Sequence, residues 1–91
     1  MGSNQLSRVL ELLKAEKANE AQEIFNAIEP VETVEYLMVQ GIVEQKFQHW
    51  GKAINAFSKV IEIEPGNTEA KNNLYLIQSI INFWNPEMFN P

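Results

Sequence analysis

The chain has 91 residues, of which 45% are apolar and 21% charged, and its formal net charge is −5. This length supports one small domain, and the composition is typical of a globular chain rather than a disordered one. The absence of cysteine excludes disulfides and thiolate zinc sites. No apolar run approaches the ~20 residues of a membrane span, and an acidic chain without a basic stripe predicts no nucleic-acid or membrane partner. We expect a soluble, cytoplasmic protein. The sequence lacks a positively charged stretch followed by an apolar one, which is the pattern of a secretion signal.

Apolar residues recur with helical spacing from the beginning of the chain. The first stripe extends from Leu6 to Leu13 with members at i, i+3, i+4 and i+7, the pattern of an amphipathic helix. A second stripe extends from Ala18 to Ile28 and stops before Pro30. The sequence predicts two helices here, separated from each other and from the next by breaks at 15–18 and 29–33.

Three further stripes follow with the same period. The third extends from Val34 to Ile42 behind Thr33, a residue suited to capping a helix. The fourth extends from Trp50 to Ile61, and the fifth begins at Thr68 after the sequence Pro65-Gly66-Asn67. Since no segment alternates with period two for more than four residues, we predict an all-α fold of five helices, with the remaining breaks at 47–49 and 64–67.

The sequence also repeats itself. Ala21 and Phe25, followed by the ending Ile28-Glu29-Pro30, correspond to Ala53 and Phe57, followed by Ile63-Glu64-Pro65. The two alanines are 32 residues apart, the size of a helix-turn-helix repeat unit. In such a unit the small alanine allows the second helix to approach the first, and the phenylalanine fills the space between units.

In this repeat the chain resembles the tetratricopeptide repeat (TPR) family. Counting the 34 positions of that repeat from Val34 places matching residues at positions 8, 17, 20, 24 and 32, namely Gly41, Trp50, Ala53, Phe57 and Pro65. The resemblance implies antiparallel helix pairs that stack into a short right-handed α-solenoid, with Ala53 opposite Gly41 at a helix crossing.

The resemblance covers nearly the whole chain, which we interpret as one domain, 1–91. Residues 2–31 resemble a shorter, degenerate first repeat, and 34–67 a TPR-like second repeat. Residues 68–84 resemble a closing helix, and 85–91 form a tail. The sequence of 81–91 also resembles the end of small stand-alone bacterial members of the family.

Three residues depart from the family pattern. Position 11 of the second repeat is Glu44 where the family prefers a buried Tyr, and position 7 is Gln40 instead of Leu. Position 15 is Gln48 instead of Gly. A carboxylate inside a helix pair is costly unless it is paired or reaches solvent, so Glu44 brings the packing of the third and fourth helices into question.

Residues suited to catalysis or to metal binding are few. His49 is the single histidine, and no second imidazole or thiolate is present to share a metal with it. The carboxylates fall opposite the apolar stripes, which is typical of a solvated surface, and the four glycines are isolated, so no phosphate-binding loop is indicated. We therefore expect a protein that is not an enzyme and that binds neither a metal nor a cofactor.

Surface recognition is the function that remains. The resemblance implies that the first helix of each pair lines a concave groove. In this chain the groove residues are Leu6, Leu10, Leu13, Met38, Ile42, Gln45, Asn72, Leu76 and Ile80. Since the centre of this set is apolar, we expect it to bind an apolar or amphipathic segment of another protein. The alternative is that Leu6, Leu10 and Leu13 belong to the core.

A second hypothesis is self-association. Solenoid ends normally carry a polar cap, whereas the closing helix and tail of this chain carry Phe83, Trp84, Met88 and Phe89. These residues are candidates for a homodimer contact, or for docking of the tail on the chain's own surface.

Overall fold

The computed structural model describes the backbone of residues 2–84 and the side chains of residues 5–83. All regular secondary structure in the described chain is α-helical, which confirms the predicted all-α class. Its five α-helices, with no strand among these residues, are α1 (Gly2–Lys14), α2 (Ala18–Ala27), α3 (Val34–Lys46), α4 (Trp50–Ile63) and α5 (Thr68–Trp84). The predicted breaks agree to within one residue. The helix α2 ends at Ala27, one residue early, with Ile28 extended, and Pro30 prevents it from continuing because proline disfavours helical backbone at Glu29 before it.

Side-chain caps begin two of the helices. The Oγ1 of Thr33 accepts a hydrogen bond of 3.1 Å from the backbone N–H of Tyr36, so the predicted cap of α3 is confirmed. At α5 the cap is Asn67, whose Oδ1 accepts a hydrogen bond of 2.8 Å from the N–H of Ala70. From the sequence, Asn67 is predicted only as part of the break between α4 and α5.

The turns after α1 and α3 have the same geometry. Glu16 and Gln48, which are 32 residues apart, adopt left-handed φ values of 63° and 62°. In each turn the next residue donates its N–H to a carbonyl five residues back, from Lys17 to Leu12 and from His49 to Glu44, both at 2.8 Å. This is the Schellman motif, in which glycine usually takes the left-handed position. The repeat seen in the sequence is therefore also a repeat of backbone structure.

The helix α3 lies at the centre of the molecule and packs against α1, α2 and α4. Its apolar residues serve two clusters. Tyr36, Val39 and Val43 join α1 and α2 in the first cluster, whereas Leu37 and Met38 join α4 and α5 in the second. This helix is apolar on both sides because it has neighbours on both sides.

Contacts between and within the helix pairs involve the two repeated phenylalanines. The ring of Phe25 stacks on that of Tyr36 with centroids 4.9 Å apart, so it fills the space between the first pair and the second, as predicted. The ring of Phe57 packs against Gly41 within its own pair and belongs to the same core cluster as Ala70 and Ile77 of α5. Ala53 is fully buried, and the three atoms nearest to a Cβ built on Gly41 belong to the Phe57 ring; the placement of Ala53 opposite Gly41 stays a prediction.

Candidate interaction surface

Three of the predicted groove residues are buried rather than exposed. Leu6 and Leu13 are 4% and 8% exposed and belong to the first core cluster, and Met38 is 8% exposed and belongs to the second. Leu10 is half-buried against the first cluster. The expectation that these side chains line an open groove is therefore corrected for Leu6, Leu13 and Met38. The alternative, that the leucines of α1 are core residues, agrees with their burial.

The physical reason is the small size of the protein. Each helix needs a buried stripe, and α1 has only one, so the side chains that would line a groove in a longer stack supply the core here. Ile42 is half-buried between the two core clusters, and Gln45 is half-buried near the end of α3. The remaining groove candidates lie on α5, where Asn72 is exposed, Leu76 is 51% exposed and Ile80 is half-buried.

One side of α5 packs on the body of the protein. Ala70 and Ile77 are fully buried in the second cluster, and Leu74 and Ile81 pack against it. Ala70 and Ile77 follow Tyr36 and Val43 by 34 residues, and those two side chains of α3 pack against the first helix pair. Equivalent positions of α3 and α5 thus face the preceding helix pair.

Among the described residues, nothing covers the other side of α5 in this way. The α3 residues that face α4 are Leu37, Met38 and Gly41, and the residues 34 positions later are Lys71, Asn72 and Tyr75. All three of these later residues are exposed, with Tyr75 at 70%. We call this surface the outer face of α5, and it consists of Asn72, Tyr75, Leu76, Ser79 and Ile80.

The outer face combines apolar and polar groups. Tyr75 and Leu76 are its large exposed apolar side chains, while Asn72 supplies an amide at the end nearer the start of the helix. The hydroxyl of Ser79 donates a hydrogen bond of 2.9 Å to the carbonyl of Tyr75, so it is used within the helix. Such a face can bind an apolar segment and can orient it through the amide.

The residues proposed for self-association lie mostly beyond the described part of the chain. Phe83 is 79% exposed near the end of α5. Trp84 is the last residue of that helix, and its side chain is outside the described residues. Met88 and Phe89 are outside them altogether.

The pair formed by Glu44 and His49 accounts for one departure from the family pattern. Nδ1 of His49 lies 2.8 Å from Oε1 of Glu44, and the glutamate side chain is 17% exposed. The carboxylate is therefore both paired and in contact with solvent, which removes the cost expected for burying it alone. His49 occupies the N-cap position of α4, but its side chain makes no capping bond because it is directed to Glu44.

Residues 5–83 give little support for a metal site, for a buried polar group that awaits a ligand, or for a membrane span. No group of three or more His, Asp or Glu side chains in this part of the chain is arranged to hold a metal ion. Every buried side-chain nitrogen or oxygen there has a hydrogen-bond partner, so none is held ready for a ligand. None of the described helices has the length and apolar character needed to cross a membrane.

Comparison of the chain with protein-family models, with curated proteins and with solved structures gives no match.

Proposed function

We propose that this protein is a non-enzymatic interaction module that binds a short amphipathic segment of another protein on the outer face of α5. The observation that carries the proposal is the exposure of Tyr75 and Leu76 on the face that α4 covers in the equivalent helix α3. Contiguous apolar side chains in such a position are typical of interaction sites. Since the equivalent face of α3 is covered by a helix, the proposed partner is a helix with an apolar face.

We also propose that the helix pairs stack in the TPR manner, as a short right-handed solenoid that α5 closes. The matching Schellman turns and the 34-residue correspondence between α3 and α5 support this arrangement. Tyr75 occupies the position that Gly41 has in α3, so a helix cannot approach α5 as closely as α4 approaches α3. The bound segment would therefore pack beside Tyr75 rather than continue the stack.

The alternative is self-association through α5 and the tail. The outer face has five residues, whereas a stable interface of standard size has roughly 20–30 residues a side. A homodimer would therefore need a large contribution from Phe83, Trp84 and the tail, and the short foreign segment is the better fit to the face itself. Light scattering after size-exclusion chromatography distinguishes the interaction module from self-association. A protein that is monomeric at all concentrations supports the interaction module. A wild-type dimer that becomes a monomer in the Leu76→Asp variant supports self-association.

Selection from a displayed library of random 15-residue peptides tests the proposal directly. We expect enriched peptides with apolar residues at i, i+3 or i+4, and i+7, and amide NMR shifts that centre on Tyr75 and Leu76. Leu76→Asp should weaken their binding about tenfold, equivalent to 1.4 kcal/mol. The matched control is Ile63→Asp, since Ile63 has the same exposure, 51%, at the end of α4. Enriched peptides whose shifts lie elsewhere, or equal losses in both variants, would contradict the proposal.

The absence of enzymatic, metal and nucleotide functions is a separate proposal with its own test. Thermal melts with zinc, with magnesium–ATP and with single-stranded RNA should leave the melting temperature unchanged. A ligand present at 100 times its Kd would add about 2.7 kcal/mol to the stability, so binding would be visible as a shift of several degrees.

A further inference from the structure

The smallest side chain on the outer face of α5 is that of Ser79. It is exposed one helical turn beyond Tyr75, and Phe83, which is 79% exposed, follows after a further turn. Four residues spaced i, i+3, i+4 and i+7 on one helix form the hole that receives a single side chain of a facing helix. We call the set with this spacing the Ser79 hole, and its residues are Leu76, Ser79, Ile80 and Phe83.

The sequence around the Ser79 hole matches the sequence of α3 on the surface that α4 covers. The two helices match at a spacing of 38 residues, which is four more than the repeat and therefore about one further helical turn. In this register Ser79 corresponds to Gly41, so each surface has its small residue at the same place. The corresponding pairs are Leu37 and Tyr75, Met38 and Leu76, Val39 and Ile77, Gln40 and Gln78, Gly41 and Ser79, Ile42 and Ile80, and Val43 and Ile81.

The small residue of α3 shows what such a surface accepts. The ring of Phe57 on α4 lies so close to Gly41 that a Cβ on the glycine would overlap it. Ser79 has both a Cβ and an Oγ, so a phenylalanine ring cannot reach the same depth on α5. An aliphatic side chain is smaller than this ring and fits the shallower hole.

The hydroxyl of Ser79 can be covered by an apolar side chain at little cost. It donates a hydrogen bond of 2.9 Å to the carbonyl of Tyr75 in the preceding turn. The donor therefore keeps its partner when water is displaced, and the penalty for leaving a buried donor unpaired does not arise. Ser79 thus acts as a small residue with an apolar outer surface.

The outer face is also uncharged around the hole. No residue from Asn72 to Phe83 is charged, in a chain that has 12 acidic and 7 basic residues. This neutral stretch is roughly 16 Å long at a helical rise of 1.5 Å. A charged group placed against it would lose water without gaining an ionic partner, so the contact surface of a matching helix is neutral over about three turns.

We propose that the segment bound on the outer face of α5 is a neutral-faced helix of another protein that inserts one aliphatic side chain, Leu, Ile or Val, into the Ser79 hole. This inference rests on the function proposed above and adds the side chain that is recognised and the residue that selects it. The α4 helix of a second copy does not meet this need, because its Ala53, Phe57 and Val60 are fully buried in their own core.

Two acetylated and amidated peptides test the inference. One has the α4 sequence, Trp50–Ile63, and the other has the same sequence with leucine in place of Phe57. These peptides are suitable because α4 already covers the matching surface of α3. Titration of the isotope-labelled full chain with the leucine peptide should produce saturable amide shifts at Leu76, Ser79 and Ile80. The phenylalanine peptide should bind about tenfold more weakly.

Variants of Ser79 show whether this residue sets the preference. Ser79→Gly deepens the hole and should strengthen binding of the phenylalanine peptide about tenfold, which removes the preference for leucine. Ser79→Leu fills the hole and should weaken binding of both peptides at least tenfold. Ser7→Gly is the matched control, because Ser7 is an exposed serine on α1, and it should keep the preference for leucine. The amide spectrum of each variant without peptide checks its fold.

Several results would overturn the inference. They are a leucine peptide that does not shift the Ser79 hole, equal binding of the two peptides by the wild type, and equal behaviour of Ser79→Gly and Ser7→Gly. A wild-type dimer that Ser79→Leu dissociates would also overturn it, because a second copy would then occupy the hole. Library peptides that bind the outer face but do not respond to the Ser79 variants would overturn this inference alone, whereas the lack of any peptide on that face would overturn the proposed function as well.

Discussion

Gly41 and Phe57 are in such close contact that no side chain fits between them. A Cβ built on Gly41 would lie 2.6 Å from Cε1 and Cζ of Phe57, and the ring is fully buried, so it has little room to move. The glycine at the middle of α3 therefore has a packing role. It sets how closely α3 and α4 approach each other.

This contact predicts the effect of Gly41→Ala. Alanine favours a helix over glycine by about 1 kcal/mol, but the added methyl group must displace the Phe57 ring. We expect a net destabilisation of about 1–3 kcal/mol, measured from urea unfolding. Gly51→Ala is the matched control, since nothing lies within 4 Å of that position on α4, and it should be neutral or stabilising. A stabilised Gly41→Ala protein would show that the two helices are further apart than described.

Ala53 provides a second test of the same helix pair. It is fully buried on α4, so Ala53→Leu should overpack the core and cost about 1–3 kcal/mol. Ala27→Leu is the control, because Ala27 is exposed at the end of α2. An unchanged urea midpoint for Ala53→Leu would contradict the repeat register as well as the packing.

The two Schellman turns predict stabilising substitutions. Glu16 and Gln48 hold left-handed backbone, which costs a residue with a Cβ roughly 1–2 kcal/mol and costs glycine almost nothing. Glycine also has a larger entropy in the unfolded chain, which offsets part of this gain. Gln48→Gly and Glu16→Gly should therefore each raise the free energy of unfolding by up to about 1 kcal/mol. Gln78→Gly, at an exposed position within α5, should destabilise by about the same amount. Thermal unfolding compares the melting temperatures of the three variants. A loss of stability in all three would contradict the left-handed conformation of Glu16 and Gln48.

The burial of Tyr36 leads us to expect a loss of stability at alkaline pH. Burial raises the pKa of Tyr36 above its ordinary value, so the folded chain keeps the phenolic proton to a higher pH than the unfolded chain. Below about pH 10 both states hold the proton, and the stability is unaffected. Above that pH the unfolded chain loses its proton first, so stability falls as the pH rises through the folded pKa.

Urea midpoints between pH 9 and 11 measure this effect. Tyr36→Phe keeps the ring that stacks on Phe25 but removes the proton, so its stability should fall less across this range. Tyr75→Phe is the control, because Tyr75 is exposed on α5 and should follow the wild type. Equal alkaline losses in Tyr36→Phe and the wild type would mean that other groups cause the decline.

Deletion of residues 85–91 tests whether the tail docks on the protein's own surface. Met88 follows the end of α5 by four residues, and docking Met88 and Phe89 on apolar surface would contribute roughly 1.5–3 kcal/mol each before the cost of ordering them. We expect the deletion to shift the amide resonances of Leu76 and Ile42. If these resonances and the oligomeric state are both unchanged, the tail does not dock on this surface.

The helices of this protein follow from its sequence alone. Period-3.6 stripes, Thr33 as a cap and Pro30 as a stop determine where α1 to α5 lie, because these signals are local and act within one or two turns. The internal repeat was also visible in the sequence, and its counterpart in the backbone is the pair of turns at Glu16 and Gln48. The family pattern already placed Gln48 at a position where glycine is preferred, but nothing in the sequence indicated that Glu16 takes the same left-handed conformation, since its side chain does not favour it.

Only the tertiary structure decided which apolar residues are covered. Leu6, Leu13 and Met38 look as available as Leu76 in a helical pattern, but the first three are buried and Leu76 is half exposed. Periodicity places residues on a face of a helix and does not state what packs against that face. In a chain of this length α3 has neighbours on both sides and α5 packs mainly on α4, so Tyr75 and Leu76 on the outer face of α5 stay exposed, as do Val31, Ile63 and Phe83 elsewhere.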